Sequence, residues 1–238
     1  MKRLLIIKTG RAIQGIPASL QDFEHWTASA AGLGLEQCHT VTVIDGELLP
    51  EPAMCSGVVI TGSAAMVSDR HAWSEYAAQW LLQAIAASVP VLGICYGHQL
   101  LAQALGGVVD FHPRGREMGT KVIHRAPAAL HDELFNILPE QFPAHVTHMQ
   151  SVLQLPAGAE VLAWNSFEAH HGVRYAPRVW GVQFHPEFTA ETMSQYLRIR
   201  GAALHDEGMD VQELHRAVSD TDAARQLLQR FAELVATG

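Results

Sequence analysis

The sequence predicts an α/β fold: a mostly parallel central sheet with helices on both faces, a small β-rich extension, and helices towards the C-terminus. Three observations lead to this prediction. In the first part of the chain, continuous apolar runs typical of buried strands alternate with segments of helical periodicity. Residues 108–180 contain shorter β-rich runs interrupted by Pro and Gly turns, which indicates a mixed or antiparallel addition to the sheet. From residue 190 onwards the pattern is helical again.

Four buried strands are predicted in the first half of the chain, because each run is apolar or β-branched. These strands cover residues 4–7, 40–44, 57–61 and 89–94. Helices are expected between and after them, at residues 22–33, 73–87 and 99–105. The helix at 73–87 has apolar side chains on one face: Trp80, Leu81, Ala84 and Ile85. A further strand is predicted at residues 179–184 and a last helix at residues 223–236.

The length and composition bound the class of protein. The chain has 238 residues, which allows one large domain that buries a core without disulfides or a metal. Its 16 basic and 24 acidic residues give a net charge of −8, so neither nucleic acid nor an anionic membrane is expected as the main partner. Three cysteines are too few for a disulfide framework. The first apolar run is shorter than a secretory signal requires, and a cytoplasmic location is therefore expected.

One long uncharged stretch could be mistaken for a membrane segment. Residues 76–109 carry no formal charge, and a stretch of that length could span a bilayer. Four glutamines, together with Pro90, Gly93 and Gly97, interrupt its apolar runs. We interpret the stretch as a helix, a strand, a turn and a second helix within a buried core.

A candidate nucleophile, Cys95, lies where a predicted buried strand meets a helix. Residues 93–97 (Gly-Ile-Cys-Tyr-Gly) have the pattern of a nucleophile elbow with cysteine in place of serine. The glycines avoid steric clashes where the strand turns sharply into the helix. The turn places the sulfur near the helix N-terminus, where the dipole favours the thiolate, and leaves the Tyr96 backbone N–H available for an oxyanion. The alternative is a structural cysteine beside a tight turn, but the combination of strand, motif and helix favours a functional one.

A base and its orienting carboxylate are predicted in residues 183–187 (Gln-Phe-His-Pro-Glu), which follow another apolar strand. Residues two apart in an extended chain project to the same side, and Pro186 favours an extended conformation at His185. Glu187 is therefore expected to accept a hydrogen bond from one imidazole nitrogen while the other faces Cys95. The alternative is a His and a Glu that face solvent at a strand end. The presence of the elbow favours the catalytic interpretation.

Other motifs give weaker signals. Cys38 and Cys55 lack an elbow and are interpreted as small apolar packing residues. The His145-x-x-His148 and His170-His171 pairs could indicate a metal, but no Cys or carboxylate cluster completes a site, and none is predicted. Residues 10–15 span a G-x-x-x-x-G pattern without the Lys-Ser/Thr that a phosphate-binding loop requires.

The elbow and the His-Pro-Glu motif together resemble those of the class I (triad) glutamine amidotransferases. The resembling segments are residues 93–102 and 181–187. Three shorter segments are also similar: residues 61–63 to the family's oxyanion loop, residues 116–119 to the glutaminase domain of GMP synthetase, and residues 148–152 to a glutamine-binding segment. Order and spacing fit over about residues 1–190. The resemblance implies a flavodoxin-like fold of the class I glutamine amidotransferase type.

The resemblance also implies a reaction. Cys95 attacks the side-chain carboxamide of L-glutamine and forms a γ-glutamyl thioester. His185 protonates the departing amine and later activates water, and Glu187 orients His185. The products are glutamate and ammonia, and neither a metal nor another cofactor is expected.

The same resemblance implies how the substrate is held. Backbone N–H groups of Gly62 or Ser63 and of Tyr96 form the oxyanion hole. The expected substrate-binding residues are Gln99, His148, Met149, Gln150 and Ser151. Two positions depart from the family pattern. Gly62-Ser63-Ala64 stands where many members have Gly-Gly-Pro. Gln150 replaces a carboxylate that is common in synthetase-type members. This second change would remove a contact that couples the glutaminase to a synthetase.

The predicted organisation is a glutamine amidotransferase domain over residues 1–190 and a helical C-terminal extension over residues 191–238 packed on it. The extension is too short for an ATP-dependent synthetase domain, so the ammonia is expected either to pass to a separate synthetase subunit or simply to be released. The last helix of the extension carries an apolar stripe formed by Leu227, Leu228, Phe231 and Leu234. We expect this stripe to pack on the domain, and the alternative is that it forms a homodimer or docks a partner. L-Glutamine is the expected substrate. The alternatives are another γ-glutamyl compound, cleaved by a γ-glutamyl peptidase or hydrolase with the same triad, and a catalytically inert binding or regulatory module.

Overall fold

The computed structural model describes residues 2–236, in which strands and helices alternate. The described strands are β1 (Arg3–Lys8), β2 (Cys38–Thr42), β3 (Cys55–Ile60), β4 (Val91–Ile94), β5 (Val108–Phe111), β6 (Glu117–Arg125), β7 (Gln141–His148), β8 (Gln150–Gln154), β9 (Glu160–Trp164), β10 (Gly172–Ala176) and β11 (Val179–Val182). The described α-helices are α1 (Phe23–Ala30), α2 (Ala72–Ala86), α3 (Tyr96–Ala104), α4 (Ala190–Asp206), α5 (Val211–Arg216) and α6 (Asp222–Ala236).

The main sheet has nine strands in the order β2-β1-β3-β4-β11-β10-β9-β6-β7. The first five of these strands pair in parallel. The remaining strands continue the sheet with antiparallel pairs, and β5 and β8 form a separate antiparallel pair. This arrangement confirms the predicted fold class, including the antiparallel addition. Parallel strands need long crossovers, which the helices provide, whereas antiparallel strands can be joined by short turns.

Both faces of the parallel sheet are buried, as the alternation of side chains along β1 illustrates. Leu4 and Ile6 belong to a core that α1 and α6 cover, whereas Leu5 and Ile7 belong to a core that α2 and α3 cover. Successive side chains of a strand point to opposite faces, so a strand that is covered on both sides is apolar throughout. The carboxyl ends of β3, β4 and β11 consequently meet at one edge of a rigid layer.

Several element boundaries differ from the sequence prediction. The second strand was expected at 40–44 but occupies Cys38–Thr42, because the chain after Thr42 enters a 3-10 turn that ends at Gly46 with φ 81°. The helix expected at 99–105 begins at Tyr96, directly after Cys95. The strand expected at 179–184 ends at Val182, because the chain then turns away from the sheet.

The uncharged stretch from 76 to 109 contains the end of α2, then β4 and α3, as predicted. Its residues in β4 are fully buried between the two cores. Across residues 2–236, no helix is both long enough and apolar enough to cross a membrane.

The helices after residue 190 pack on the sheet and around its carboxyl edge. Leu227, Leu228 and Phe231 of α6 are fully buried in the core that contains Leu4 and Ile6. Helix α4 contributes to a third apolar cluster, in which Tyr196 packs with residues of α1 and β6. The boundary that we predict at residue 190 is therefore crossed by extensive apolar packing, which contributes roughly 25 cal/mol for each Å² of apolar surface that it buries.

Candidate active site

Cys95 occupies a strained backbone position between β4 and α3. Its dihedral angles are φ 50° and ψ −99°, a region that residues with a side chain rarely adopt. The Cys95 N–H donates to the carbonyl of Val182 over 2.7 Å, which ties the turn to the end of β11. The chain therefore passes from strand to helix within one residue, and the thiol lies at the first turn of α3.

The glycines on either side of Cys95 are required by contacts and not by their own backbone angles. A Cβ atom on Gly93 would lie 2.5 Å from the carbonyl group of Gly97. A Cβ atom on Gly97 would lie 2.6 Å from the carbonyl oxygen of Ile60 in β3. Real Cβ atoms do not approach other atoms this closely, so both positions need glycine for the elbow to pack against β3.

His185 and Glu187 are brought together by a turn, which differs from the extended chain that we expected. The Phe188 N–H donates to the His185 carbonyl over 3.3 Å and closes the turn, with Pro186 at its second position. Proline favours this position because its ring fixes the required φ. Within the turn, Nδ1 of His185 lies 2.7 Å from Oε1 of Glu187. The predicted pairing is present, but the physical reason is the turn.

The surroundings of His185 fix both its orientation and its charge. The ring is buried and stacks on Phe188 with 4.2 Å between ring centroids, and its backbone N–H donates to the His145 carbonyl over 2.8 Å. Burial by itself lowers the pKa of His185, but the electrostatic attraction of Glu187 and Cys95, together with hydrogen bonding to both side chains, outweighs it and raises this pKa to about 10. Among residues 2–236, no group lies within ordinary hydrogen-bond distance of Nε2 of His185. A protonated imidazole therefore has one N–H bound to Glu187 and a second available to a ligand.

The predicted oxyanion loop, residues 61–64, follows β3 and lies against His185. A Cβ atom on Gly62 would lie 2.9 Å from Cε1 of His185, so this position has room for glycine only. The Thr9 hydroxyl donates to the Thr61 carbonyl over 2.8 Å, which holds the loop to the end of β1. The Ser63 hydroxyl accepts from the Ala65 N–H over 3.2 Å and is thereby turned towards its own loop.

Two small cavities adjoin at this point. The first, of about 90 Å³, is lined by Cys95 and Tyr96, and the second, of about 30 Å³, is lined by His185. Both cavities share the same four wall residues: Ser63, Ala64, Thr147 and Arg200. The Sγ atom of Cys95 lies 3.9 Å from the Thr147 carbonyl oxygen. The structure thus places the predicted nucleophile and the predicted base on either side of one shared wall.

Of the predicted substrate-binding residues, Gln99 has a side-chain oxygen that accepts no hydrogen bond from residues 2–236. Its amide nitrogen donates to the Gln150 carbonyl over 2.8 Å and to Oε1 of Gln183 over 2.9 Å. Gln99, His148, Met149 and Gln150 all line the cavity that contains Cys95. Gln99 can therefore offer an acceptor to a ligand without breaking the hydrogen bonds that hold its amide.

His148 has both ring nitrogens occupied by protein groups. Nδ1 lies 3.0 Å from the Gln150 carbonyl, and Nε2 lies 3.0 Å from Oε2 of Glu117. Burial alone would raise the pKa of Glu117, but hydrogen bonds from His148 and His171 lower it far below its usual range. The ring of His148 can contact a ligand in the cavity, but its nitrogens serve to hold the segment that follows β7.

The remaining predicted binding residues contribute in different ways. Met149 lines the Cys95 cavity, and its sulfur accepts from Arg116 over 3.0 Å. The Gln150 side chain turns to Ser68, its amide nitrogen donating to the Ser68 hydroxyl over 2.5 Å. The Ser151 hydroxyl donates to Glu168 and lies outside the lining of the cavity. Of these three residues, only Met149 and Gln150 reach the wall that a substrate would touch.

Phe188, Thr147 and Arg200 are among the residues at the site that were not predicted from the sequence. Phe188 follows the His-Pro-Glu motif directly, and its apolar ring so close to the base is a signal that could have been used. Thr147 lies in β7, which pairs with β6 far from the elbow in sequence. Arg200 lies on α4 among other polar helix residues, and its helical spacing resembles that of a solvated side chain.

A larger cavity of about 580 Å³ lies beside the site, between β6, the loop after β9 and α5. Arg116 lines both this cavity and the one that contains Cys95, but none of Cys95, His185 and Glu187 lines the larger one. Over the described range, residues 2–236, no three His, Cys, Asp or Glu side chains are grouped as a metal site would require.

Comparison with known proteins identifies related sequences and folds. Residues 35–201 match the family described as Glutamine amidotransferase class-I. The chain is 37% identical over 163 residues to a GMP synthase (glutamine-hydrolyzing) from Aeropyrum pernix, a match that covers 66% of this chain and 29% of that synthase. It is 42% identical over 100 residues to the GMP synthase of Staphylococcus carnosus, which covers 42% of this chain and 18% of that protein. The chain spans less than a third of the length of these relatives.

A solved structure supports the same fold. A glutamine amidotransferase from Thermotoga maritima superposes with a TM-score of 0.80 at 20% identity, and the match covers 100% of both chains. At this identity the likeness is one of fold, and it includes the helices after residue 190.

Proposed function

The chain belongs to the class I glutamine amidotransferase family, and we propose that it hydrolyses the side-chain amide of L-glutamine to glutamate and ammonia through a thioester at Cys95. One observation carries the proposal. A buried His185–Glu187 pair lies across a shared cavity wall from a cysteine held at a strained strand-to-helix turn. A nucleophile, a base and an orienting carboxylate are the groups that acyl transfer from an amide requires.

In the first half of the proposed reaction, the Cys95 thiolate attacks the side-chain carbonyl carbon of glutamine. A C–S bond forms, and the carbonyl electron pair moves to oxygen. Nε2–H of His185 then gives its proton to the amide nitrogen, the C–N bond breaks, and ammonia departs. The raised pKa of His185 supports this role, because the imidazole is protonated at neutral pH and can serve as the acid.

In the second half, a water molecule replaces the ammonia. Nε2 of His185, now neutral, takes a proton from this water as the hydroxyl attacks the thioester carbon. The C–S bond breaks and glutamate is released, with Cys95 and His185 back in their starting states. Glu187 holds the same ring nitrogen throughout and stabilises the imidazolium each time it forms.

The charge on the carbonyl oxygen needs hydrogen-bond donors at both stages. We assign this role to the backbone N–H groups of Gly62 or Ser63 and of Tyr96. The proximity of Gly62 to His185 and the position of Tyr96 at the first residue of α3 support the assignment. Ser63 in place of a second glycine is compatible with it, because the donor is the backbone.

We propose that Gln99, Met149 and Gln150 contact the glutamine, since all three line the cavity that contains Cys95. His148 also lines this cavity, and we assign its ring to the same contact. Ser151 lies outside the lining and acts indirectly, through its hydrogen bond to Glu168. The ammonia would pass to a separate synthetase-type subunit. The relatives named GMP synthase support this idea, because their length beyond the matched segment is more than twice the match itself.

The experiment that tests the proposed function is a product assay on the purified chain. L-Glutamine and, separately, γ-glutamyl dipeptides are incubated with the wild type and with the Cys95→Ala variant, and glutamate, ammonia and released amine are measured. The proposal predicts ammonia and glutamate from glutamine, and no product with Cys95→Ala. Faster release of amine from the dipeptides than of ammonia from glutamine would replace the proposal with a γ-glutamyl peptidase. No product from either substrate, alone or with a synthetase added, would contradict it.

A further inference from the structure

The walls of the two catalytic cavities carry positive charge in an acidic protein. The chain as a whole has a net charge of −8, but the cavity linings include Arg11, Arg116 and Arg200. Within residues 2–236, neither lining contains an Asp or a Glu. A cavity with walls of one sign attracts a ligand group of the opposite sign, because the low dielectric of the walls weakens screening.

Two of these three arginines already have carboxylate partners. The guanidinium of Arg116 binds Glu207 through two hydrogen bonds of 2.8 and 3.1 Å, and that of Arg11 binds Asp45. Arg200 differs from both. No ion pair or hydrogen bond joins its guanidinium to another group in the described part of the chain, and its Nε is buried. Arg200 is therefore the wall cation whose donors remain unused.

The electrostatic setting of Arg200 is unfavourable without an anion. Burial, followed by the nearby charge of Arg116, lowers the pKa of the Arg200 guanidinium. An arginine keeps its charge even so, and Glu207, the partner of Arg116, attracts the half-buried guanidinium without hydrogen bonding to it in the described part of the chain. A carboxylate placed against its planar fork of donors would offset the cost of burying this charge.

Helix α4 aims Arg200 at the site. Tyr196, one turn earlier on the same helix, packs on Phe188 with 4.8 Å between ring centroids, and Phe188 stacks on His185. Residues four apart on a helix lie on the same face, so the face that carries Tyr196 towards the base also carries Arg200 towards it. The cluster of rings fixes the helix, and Arg200 extends from it to the wall that the two cavities share.

We propose that Arg200 binds the α-carboxylate of the γ-glutamyl substrate. The inference rests on the proposed function, because the side-chain amide must lie at Cys95 for the reaction to occur. L-Glutamine has a single carboxylate, at the end of the molecule remote from that amide. Among the three arginines that line the cavities, Arg200 alone lies in both linings and has no hydrogen-bonded carboxylate within residues 2–236. A substrate-binding residue would thus come from the C-terminal extension, and the enzyme would select amides that carry this carboxylate.

The test measures binding without turnover. The full chain with Cys95→Ala is titrated calorimetrically with L-glutamine and with L-glutaminamide, in which a neutral amide replaces the α-carboxylate. Both titrations are repeated with Arg200→Gln, with Arg200→Lys, and with Arg198→Gln as the matched control. Arg198 lies on the same helix and is exposed, and within residues 2–236 its side chain hydrogen bonds to Gln195 of α4 alone.

The expected result is selective. Arg200→Gln weakens binding of L-glutamine by about ten- to hundredfold, the effect of losing hydrogen bonds between charged groups, and leaves binding of L-glutaminamide within about twofold. Arg200→Lys recovers part of the affinity for L-glutamine, because the charge remains but the two-pronged geometry does not. Arg198→Gln has no effect on either ligand.

Three results would overturn the inference: equal weakening of both ligands, affinity for L-glutamine unchanged by Arg200→Gln, or no binding of L-glutamine to the Cys95→Ala chain. The proposed function is judged separately, by turnover in the chain that retains Cys95. Selective loss of glutamine binding in a chain without turnover would support the inference and contradict the function. Turnover with no dependence of binding on Arg200 would do the reverse.

Discussion

Nδ1 of His185 lies 2.7 Å from Oε1 of Glu187, and both side chains are almost entirely buried. A carboxylate in contact with an imidazole fixes the orientation of the ring and favours its protonated form. In this structure the contact follows from a single turn that runs from His185 to Phe188, so the orientation of the imidazole is set within four successive residues. Replacing the carboxylate is therefore the first prediction.

We predict that Glu187→Gln lowers kcat by roughly 10²- to 10⁴-fold without unfolding the protein. In the wild type, the His185 pKa of about 10 keeps the imidazole protonated at neutral pH, so the donor is lost only as the pH rises through that value. Without the negative charge this pKa falls, and the alkaline loss of activity should move roughly one to three pH units lower. The measurement is kcat from pH 6 to 11.

The control for this profile is Glu191→Gln, an exposed carboxylate in the first turn of α4. It should keep the wild-type profile. A Glu187→Gln profile that coincides with that of the control would mean that Glu187 has no influence on the base.

The elbow leads to a prediction about stability. A methyl group on Gly93 would lie 2.5 Å from backbone atoms of Gly97, so Gly93→Ala should force the turn open. We expect the free energy of unfolding in urea to fall by about 1–3 kcal/mol or more, with loss of turnover. Gly201→Ala, in α4, is the control, because its Cβ would meet only a methyl group of Val211 at 3.7 Å and helix propensity favours alanine. Equal urea midpoints for the two variants would contradict the close packing of the elbow.

Tyr96 allows its backbone and side-chain contributions to be separated. Its hydroxyl donates to the Ser74 hydroxyl over 2.6 Å inside the core, away from the catalytic cavity, whereas the proposed oxyanion donor is its backbone N–H. Tyr96→Phe should therefore cost about 1–3 kcal/mol of stability, since the Ser74 hydroxyl loses a partner, and leave kcat within about twofold. Adding Ser74→Ala should restore part of the stability. A tenfold loss of kcat in Tyr96→Phe would show instead that the phenol takes part in the reaction.

The packing of the C-terminal helix can be tested at Phe231. Its ring is fully buried and meets Trp180 edge-on, with 6.2 Å between ring centroids. Phe231→Ala should lower the free energy of unfolding by about 3–5 kcal/mol, while kcat of the folded protein stays unchanged. The exposed neighbour Gln229, changed to Ala, serves as the control. If both variants unfold at the same urea concentration, residues 191–238 do not form part of the same cooperative unit.

Strong local patterns were sufficient to predict the fold and the local structure of the two motifs that we propose to be catalytic. The run from 89 to 94 ends in a Gly-x-Cys-x-Gly sequence, and both the strand and the turn after it follow from properties of adjacent residues. The same is true of the His-Pro-Glu segment, although the reason for its geometry proved to be a turn closed by Phe188.

Contacts between distant parts of the chain could not be predicted in this way. Thr147 reaches the site because β7 lies against the segment that follows β11, where the His185 N–H donates to the His145 carbonyl. Arg200 reaches it because a cluster of rings orients α4. Neither position carries a local signal, since each depends on how elements pack after they have formed. The positive charge of the cavity walls could not be predicted either, because the net charge of −8 is a sum over the whole chain and does not show where the arginines lie.

The most direct test of the central claim is detection of the acyl-enzyme. The wild-type chain is mixed with L-glutamine, quenched in acid within the first turnovers, and analysed by intact-mass and peptide-mass spectrometry, with Cys95→Ala treated in parallel. The account predicts a mass increase of one glutamyl group on the wild type, located on Cys95 and absent from the variant. Glutamine hydrolysis by Cys95→Ala at the wild-type rate, or a glutamyl group located on Cys38 or Cys55, would contradict it.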